Sequence, residues 1–177
     1  MNKLDMPQNI EIKARIPSVK AIEPLAAAIA TEDPLDLEQD DTFFQGADGR
    51  IKLREFADGS AELIFYRRDD AKGPKSSFYI RTPVPDPAGM RQALTLAWGE
   101  QGRVRKKRRL YRVGRTRIHL DNVEGLGAYL ELEVVLADAD AYESGVDEAQ
   151  RIMKQLGIAV EWLVEGAYID LLAASRG

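Results

Sequence analysis

Cysteine is absent from the 177-residue chain, and histidine occurs once, at His119. These two facts exclude disulfides, thiol catalysis, cysteine-ligated zinc and metal motifs that need paired histidines. No apolar run approaches the roughly 18 residues of a membrane span, and the polar stretch Met1–Asn9 lacks the apolar core of a signal peptide. We therefore expect a cytoplasmic protein with no membrane partner.

The formal net charge of −4 conceals an uneven distribution of charge. Residues 103–117 contain nine lysines and arginines and no acid, whereas residues 31–41 contain six acids and no base. A block of one sign indicates repulsion, disorder or a charged partner. The length suits a single domain, 1–177, that is large enough to bury a core without cross-links.

Most of the chain alternates between apolar and polar residues with the period of β-strands. The clearest alternation is found in Asn9–Ile16, Arg50–Phe56, Ala61–Arg68, Arg115–Asn122 and Tyr129–Leu136. Turn signals at 48–49, 58–59, 114 and 125–127 separate the strands, and the first of them separates a short segment, Thr42–Gln45, from Arg50–Phe56. Helices are predicted from Ser18 to about Ala30, from Asp86 to about Gly99, over Asp147–Leu156 and over Trp162–Ala174. This order predicts an α+β fold with an antiparallel sheet.

The polar faces of several strands carry charges of one kind. Lys52 and Arg54 form a basic face, and Glu131 and Glu133 form an acidic one. Any one of these faces is typical of a solvated surface, but the segregation favours a site. Arginine and lysine bind phosphate oxygens, and neighbouring carboxylates can hold Mg²⁺ beside a polyphosphate.

Eight segments in order along the chain resemble the CYTH-domain proteins, the superfamily of class IV adenylate cyclases and thiamine triphosphatases called triphosphate tunnel metalloenzymes. The resemblance covers about residues 9 to 172 and is nearest to the bacterial class IV adenylate cyclase-like branch. The segments are Asn9–Arg15, Asp41–Phe44, Ile51–Glu55, Glu62–Tyr66, Lys106–Tyr111, Arg117–Gly127, Tyr129–Glu133 and Leu163–Tyr168. The resemblance implies a closed antiparallel barrel of about eight strands, with the apolar faces of the strands toward outer helices and the charged faces toward a tunnel.

The resemblance also implies roles for individual residues and a metal, Mg²⁺ or Mn²⁺. The expected metal-binding and catalytic residues are Glu11, Glu131, Glu133 and Asp121. The expected triphosphate-binding residues are Lys13, Lys52, Arg54, Arg68, Lys106, Arg108 and Arg117; the motif support is weaker for Arg68, as it is for Arg15 and Arg81, which have suitable strand parity. Asn9 departs from the family signature, Glu-x-Glu-x-Lys, and removes one anionic metal ligand.

Several functions remain open at the level of sequence. A cyclase would convert ATP into cyclic AMP and pyrophosphate, and a triphosphatase would hydrolyse an inorganic or organic triphosphate such as tripolyphosphate or thiamine triphosphate. A triphosphate-binding module without catalysis is a third alternative. RNA binding by residues 103–117 is disfavoured because the block alternates and lacks aromatic stacking platforms, so no nucleic-acid partner is expected. His119 is either a general base or structural, Tyr168 either closes a tunnel mouth or packs a helix, and a homodimer is left open.

Overall fold

A closed antiparallel barrel forms the centre of the protein, seen in a computed structural model that describes residues 8–46, 49–68 and 72–175. Its strand order is β1-β5-β4-β3-β2-β6-β7-β8. Within the described residues the strands are β1 Gln8–Arg15, β2 Leu35–Phe44, β3 Arg50–Phe56, β4 Ala61–Arg68, β5 Lys75–Pro83, β6 Glu100–Val113, β7 Thr116–Val123 and β8 Gly127–Leu136. The helices are α1 Val19–Ile29, α2 Pro87–Trp98, α3 Tyr142–Gln155 and α4 Tyr168–Ser175, with a 3₁₀ turn at Val160–Trp162. The expected α+β barrel is confirmed.

The two faces of each strand divide between the barrel interior and an outer apolar core. Ile10 and Ile12 of β1 and Leu130 and Leu132 of β8 are fully buried on the outer face. They pack with residues of α1 and α3 in one continuous cluster. Burial of such a side chain contributes about 1.5–3 kcal/mol. The charged residues of the same strands consequently point into the barrel.

Two helix starts follow the capping signals in the sequence. The Ser18 side chain accepts a hydrogen bond from the Ala21 backbone N–H and begins α1. Asp86 does the same for the Gly89 N–H, with Pro87 in the first turn of α2. In the part of the chain that the structure describes, no helix is long and apolar enough to cross a membrane.

The predicted start of the third helix is wrong, because α3 begins at Tyr142 rather than Asp147. Glycine is a poor helix former, which disfavoured the segment around Gly145. The fold needs a glycine there, since a Cβ at Gly145 would lie 2.7 Å from Ile10 Cγ1 and 2.8 Å from Leu136 Cδ2. Glycine therefore lets α3 pack directly on β1 and β8.

The predicted helix over Trp162–Ala174 is confirmed only in its second half, as α4, and is wrong before Tyr168. Leu163 bridges to Ala14 of β1, and the Val164 N–H donates to the Lys13 carbonyl. Gly166 has a left-handed backbone (φ 77°), and α4 starts only beyond it, at Tyr168. The extended segment brings the start of α4 to one end of the barrel.

Two further elements differ from the sequence predictions. Strand β5 was not predicted, and β2 starts at Leu35, well before the Thr42–Gln45 segment that the turn signals indicated. Much of the acidic stretch is therefore strand, and its charges alternate between the two faces. Asp40 faces outward toward Arg103 and Arg105, whereas Asp41 is buried inside.

Candidate functional site

The barrel encloses a cavity of about 340 Å³, a volume typical of a small-molecule site. Among the described residues, eight basic and five acidic side chains line it. The whole chain, by contrast, has 25 basic and 29 acidic residues. A barrel of this size can be filled by apolar side chains, and buried charges contribute little net stability. The positive interior is therefore better explained by an anionic ligand than by folding.

One part of the lining is a basic cage, which we define as Lys52, Arg54 and Lys106 around Asp41. The carboxylate accepts from Lys52 Nζ at 2.8 Å, from Lys106 Nζ at 3.1 Å and from Arg54 Nε and Nη2, each at 2.7 Å. Strand register explains the cluster, because Asp41 lies directly opposite Arg54 on β3 and Val104 on β6. Three cations thus converge on a single acid.

The electrostatics of the cage differ between the acid and the lysines. Burial opposes ionisation of Asp41, but attraction to Arg54, Lys106 and Lys52 outweighs it and holds the pKa of Asp41 well below its usual value. Burial, together with repulsion from Arg54, lowers the pKa of Lys52 to about 7 against the attraction of Asp41. Burial likewise lowers the pKa of Lys106 to about 8. The cage therefore has three basic side chains and a single carboxylate, and a bound anion would balance its charge.

A second cluster, the carboxylate group, consists of Glu131 and Glu133 of β8 with His119 of β7. His119 Nδ1 lies 3.8 Å from Glu131 Oε2 and 3.7 Å from Glu133 Oε1. One ligand atom from each of the three side chains lies within 4.8 Å of the others. Glu11 lines the same cavity and lies directly opposite Glu133 in the β1–β8 register. The arrangement gathers the oxygen ligands that divalent cations prefer.

Cations already hold both glutamates. Glu131 accepts from Lys13 at 3.0 Å and from Arg108 at 2.8 Å, and Glu133 pairs with Arg117 at 2.8 Å. Burial opposes ionisation, but the attraction of Lys13 and Arg108 outweighs it and holds the pKa of Glu131 well below its usual value. Both acids are therefore kept as carboxylates, the form that binds metals.

Arg108 joins the carboxylate group to Asp121, which is fully buried. Arg108 donates to both Asp121 oxygens, at 2.7 and 2.6 Å, and the Tyr168 hydroxyl donates to Asp121 Oδ2 at 3.0 Å. Lys13 Nζ also lies 4.1 Å from the centre of the Tyr168 ring. Since both of its oxygens are engaged, Asp121 orients Arg108 in this structure. Its expected metal ligation stays a prediction.

The residues present fit a divalent cation. His119 Nδ1 is buried and has no hydrogen-bond partner within the described ranges, whereas the large majority of buried side-chain polar atoms in proteins have at least one partner. It faces two ionised carboxylates. An electron-pair donor left unpaired beside two anions matches the donor set of a metal site.

Asn9 takes a role that the sequence did not indicate. With its amide oriented to satisfy its neighbours, Asn9 accepts from Arg117 Nη2 at 3.2 Å and donates to the Gln8 carbonyl at 3.2 Å. Only 1% of Asn9 is exposed. The residue at the first signature position thus supports a cation that holds Glu133.

Six of the seven predicted triphosphate-binding residues line the cavity. Arg81 joins them, Arg15 is exposed on the strand end, and the side chain of Arg68 lies outside the described residues. The lining that the prediction named comprises Lys13, Lys52, Arg54, Lys106, Arg108 and Arg117. These roles stay predictions.

Asp41 is the residue that sequence reasoning missed. It lies at the end of the acidic stretch 31–41, and no role was predicted for it from the sequence, although Asp41–Phe44 is one of the segments that resemble the family. Period-2 alternation from Leu37 through Gln39 to Phe43 would have placed Asp41 on the same face as these less polar residues.

The cavity also has a less polar region near the end opposite α4. Gln39 lies directly across from Phe56 in the β2–β3 register, and Leu37 and Leu110 line the cavity beside them. Gln39 Oε1 is buried without a hydrogen-bond partner in the described part of the chain. A planar polar group of a ligand could donate a hydrogen bond to this amide oxygen and lie against the aromatic ring.

Comparison with known proteins agrees with this architecture. A protein of Methanocaldococcus jannaschii named as a candidate adenylate cyclase is 30% identical over 146 residues, which cover 75% of this chain and 80% of that protein. The PH1012 protein of Pyrococcus horikoshii superposes with a TM-score of 0.81 at 23% identity, over 93% of this chain and 99% of its own. A candidate adenylyl cyclase from Hippeastrum, described as having a dominant triphosphatase activity, superposes with a TM-score of 0.65 at 19% identity, over 94% and 95%.

The family model of the CYTH domain matches residues 7–168, which include every strand of the barrel and the extended segment before α4. Together with the M. jannaschii relative, this match confirms the resemblance seen in the sequence motifs, which covers about residues 9 to 172. The chain therefore belongs to the CYTH domain family.

Proposed function

We propose that this protein binds a nucleoside triphosphate inside the barrel, together with a divalent cation, and acts on its phosphate chain as an adenylate cyclase does. The observation that carries the proposal is the cavity inside the barrel, which eight basic and five acidic side chains of the described residues line. The M. jannaschii relative, named as a candidate adenylate cyclase, supports the choice of reaction.

The basic cage would bind the phosphates. Arg54 offers a planar fork to phosphate oxygens, whereas Lys52 and Lys106 act as point charges. Asp41 holds the three cations together before the ligand arrives, so less ordering is needed on binding. Lys106 and Arg108 lie two residues apart on the inner face of β6, so the cage adjoins the carboxylate group.

Glu131 and Glu133 would hold the cation, with Glu11 facing them from β1. When bound, Mg²⁺ or Mn²⁺ supplies neutralisation of the charge that develops on the phosphate oxygens. Arg108 and Arg117, both hydrogen-bonded to these acids, are placed to contact the same oxygens. Asp121 and Tyr168 keep Arg108 in position.

In the cyclase reaction the ribose 3′-oxygen attacks the α-phosphorus. A new bond forms between the 3′-oxygen and the α-phosphorus, the bond from the α-phosphorus to the oxygen that bridges to the β-phosphate breaks, and pyrophosphate leaves, while the 3′-hydroxyl proton passes to water or to the departing pyrophosphate. The chain's contribution would be alignment and charge stabilisation, the usual source of phosphoryl-transfer catalysis.

The less polar region favours a nucleotide over inorganic tripolyphosphate. Phe56 offers a ring on which a base can stack, with Leu37 and Leu110 beside it. The Gln39 amide matches the donor and acceptor edge of adenine. An inorganic polyphosphate would use neither feature.

A triphosphatase is the second candidate, because the Hippeastrum protein shares this fold and is described as having a dominant triphosphatase activity. The two reactions differ in the products. ³¹P NMR of separate incubations with ATP and tripolyphosphate, each with Mg²⁺ or Mn²⁺, distinguishes them. We expect pyrophosphate and cyclic AMP from ATP. Orthophosphate from tripolyphosphate would assign a triphosphatase, and ligand binding with no product would assign a binding module.

Two variants make the assay specific to the site. Glu133→Gln should lower turnover by about 100-fold or more, since it removes a metal-binding charge, whereas Glu124→Gln, on an exposed loop, should not change it. Gln39→Leu should weaken ATP binding about tenfold and leave tripolyphosphate binding within about twofold. Glu38→Gln, at the neighbouring outward position, is its control.

A further inference from the structure

We propose that His119 is a nitrogen ligand of the metal held by Glu131 and Glu133, and that the site therefore prefers a transition-series ion such as Mn²⁺ to Mg²⁺. This inference rests on the proposed function, because it concerns the metal of the same site. It goes further in naming a ligand and an order of metal preference.

The first argument is the unpaired nitrogen. Only 5% of the His119 side chain is exposed, and its Nδ1 has no hydrogen-bond partner in the described part of the chain. Its nearest carboxylate oxygens, at 3.7 and 3.8 Å, are beyond hydrogen-bond length. Leaving such a group unpaired costs about 1–3 kcal/mol in general, so it calls for an explanation.

The second argument is the spacing of the donors. Metal–ligand bonds from imidazole nitrogen and carboxylate oxygen are about 2.0–2.2 Å long, so one ion can join atoms up to about 4.3 Å apart. Nδ1 lies within that separation of an oxygen from each glutamate. The gap that is too wide for a hydrogen bond is therefore suited to a shared cation.

The third argument is the way in which neighbouring cations hold the two glutamates. Glu133 binds Arg117 through Oε2, and its Oε1 is the atom that faces His119. Glu131 binds Lys13 through Oε1 and Arg108 through Oε2, and Oε2 is also the oxygen nearest His119. These pairings fix both carboxylates on β8 with an oxygen directed toward the imidazole, as the supporting contacts of a metal site do.

The identity of the donors sets the metal preference. Mg²⁺ takes oxygen ligands and retains water, whereas imidazole suits later divalent ions. Affinity for a mixed nitrogen and oxygen site rises from Mn²⁺ toward Co²⁺ and Ni²⁺. A site of two carboxylates and one imidazole should thus bind Mn²⁺ more tightly than Mg²⁺, because Mg²⁺ gains little from a nitrogen ligand.

The single histidine allows a direct test on the wild-type protein. MnCl₂ is added alone, and pulsed EPR records the electron spin-echo modulation of the bound ion. We expect modulation from one directly coordinated ¹⁴N, which changes to the ¹⁵N pattern in protein labelled only at histidine. Bound Mn²⁺ without nitrogen modulation overturns the inference but leaves a carboxylate metal site, and hence the proposed function, standing. Failure to bind Mn²⁺ at all overturns the inference as well.

Calorimetric titration of MnCl₂ and MgCl₂ separates ligation from a structural role. Wild type should bind Mn²⁺ at least about tenfold more tightly than Mg²⁺. His119→Asn should weaken Mn²⁺ binding about 10–100-fold and Mg²⁺ binding less than threefold. A parallel loss for both metals would mean that His119 only shapes the glutamates. Tripolyphosphate binding, measured without metal, tests the proposed function separately.

Discussion

Replacing Asp41 by asparagine should destabilise the protein in the absence of ligand and make it unusually dependent on a polyanion. Asp41 is 1% exposed and is the carboxylate that the cage cations Lys52, Arg54 and Lys106 share. The substitution keeps the size of the side chain and removes its charge. Three buried cations then face one another without compensation.

The magnitude follows from the burial of the group. Removing one partner of a buried ion pair costs about 3–5 kcal/mol. For a domain of 150–250 residues, each kcal/mol shifts the melting temperature by about 2–4 °C, so we expect a fall of about 6–20 °C. The fall should be larger at pH 6 than at pH 9. Lys52 and Lys106, with pKa values of about 7 and 8, are charged at the lower pH and lose their protons at the higher one.

Differential scanning calorimetry with and without tripolyphosphate is the assay. Excess tripolyphosphate should raise the melting temperature of Asp41→Asn more than that of wild type, because the anion replaces the missing carboxylate. Asp40→Asn is the matched control, since Asp40 lies next in sequence but pairs with Arg103 and Arg105 at the surface, where such pairs contribute at most about 1 kcal/mol. The reasoning is refuted if Asp41→Asn has the same melting temperature as Asp40→Asn, or if tripolyphosphate raises the melting temperature of Asp41→Asn less than that of wild type.

Further predictions concern the same cavity. Tripolyphosphate binding at pH 8 should be accompanied by proton uptake, because a bound anion raises the depressed pKa values of Lys52 and Lys106. The affinity should accordingly fall as the pH rises through 7 to 9, and calorimetry in buffers of different ionisation enthalpy would detect the protons; proton release at pH 8 would contradict this account. Tyr168→Phe should cost about 1–3 kcal/mol, because Asp121 is fully buried and loses a donor. Thermal unfolding measures this loss, and Tyr142→Phe, at a 45% exposed position, should be neutral; equal melting temperatures would show that the hydroxyl does not support Asp121.

The sequence predicted the architecture well where alternation and turn chemistry agreed. Strands β1, β3, β4, β7 and β8 and the capped helices α1 and α2 needed only local rules. The start of α3 depended on the approach of Gly145 to Ile10, a contact between distant segments that no local pattern contains. The break before α4 likewise depended on the pairing of Leu163 with Ala14.

The sequence predicted which residues line the candidate site better than it predicted which of them contact one another. The basic and acidic strand faces indicated which side chains share the interior. The pairing of Asp41 with residues of β3 and β6 depends on register across three strands, and the proximity of His119 to Glu131 and Glu133 depends on the β7–β8 register. A single sequence does not specify the register of β2 against β6, which are far apart in the chain, and the β7–β8 register depends on the exact conformation of the short turn that joins them.

The account's central claim is that the barrel interior binds a triphosphate. Its most direct test is a crystal structure with Mn²⁺ and an ATP analogue that resists cleavage between the α- and β-phosphates. We predict phosphates against Lys52, Arg54 and Lys106, anomalous density for manganese at Glu131 and Glu133, and the base beside Gln39 and Phe56. A cavity free of the nucleotide at saturating concentration, or phosphates bound only on the outer surface, would contradict the claim.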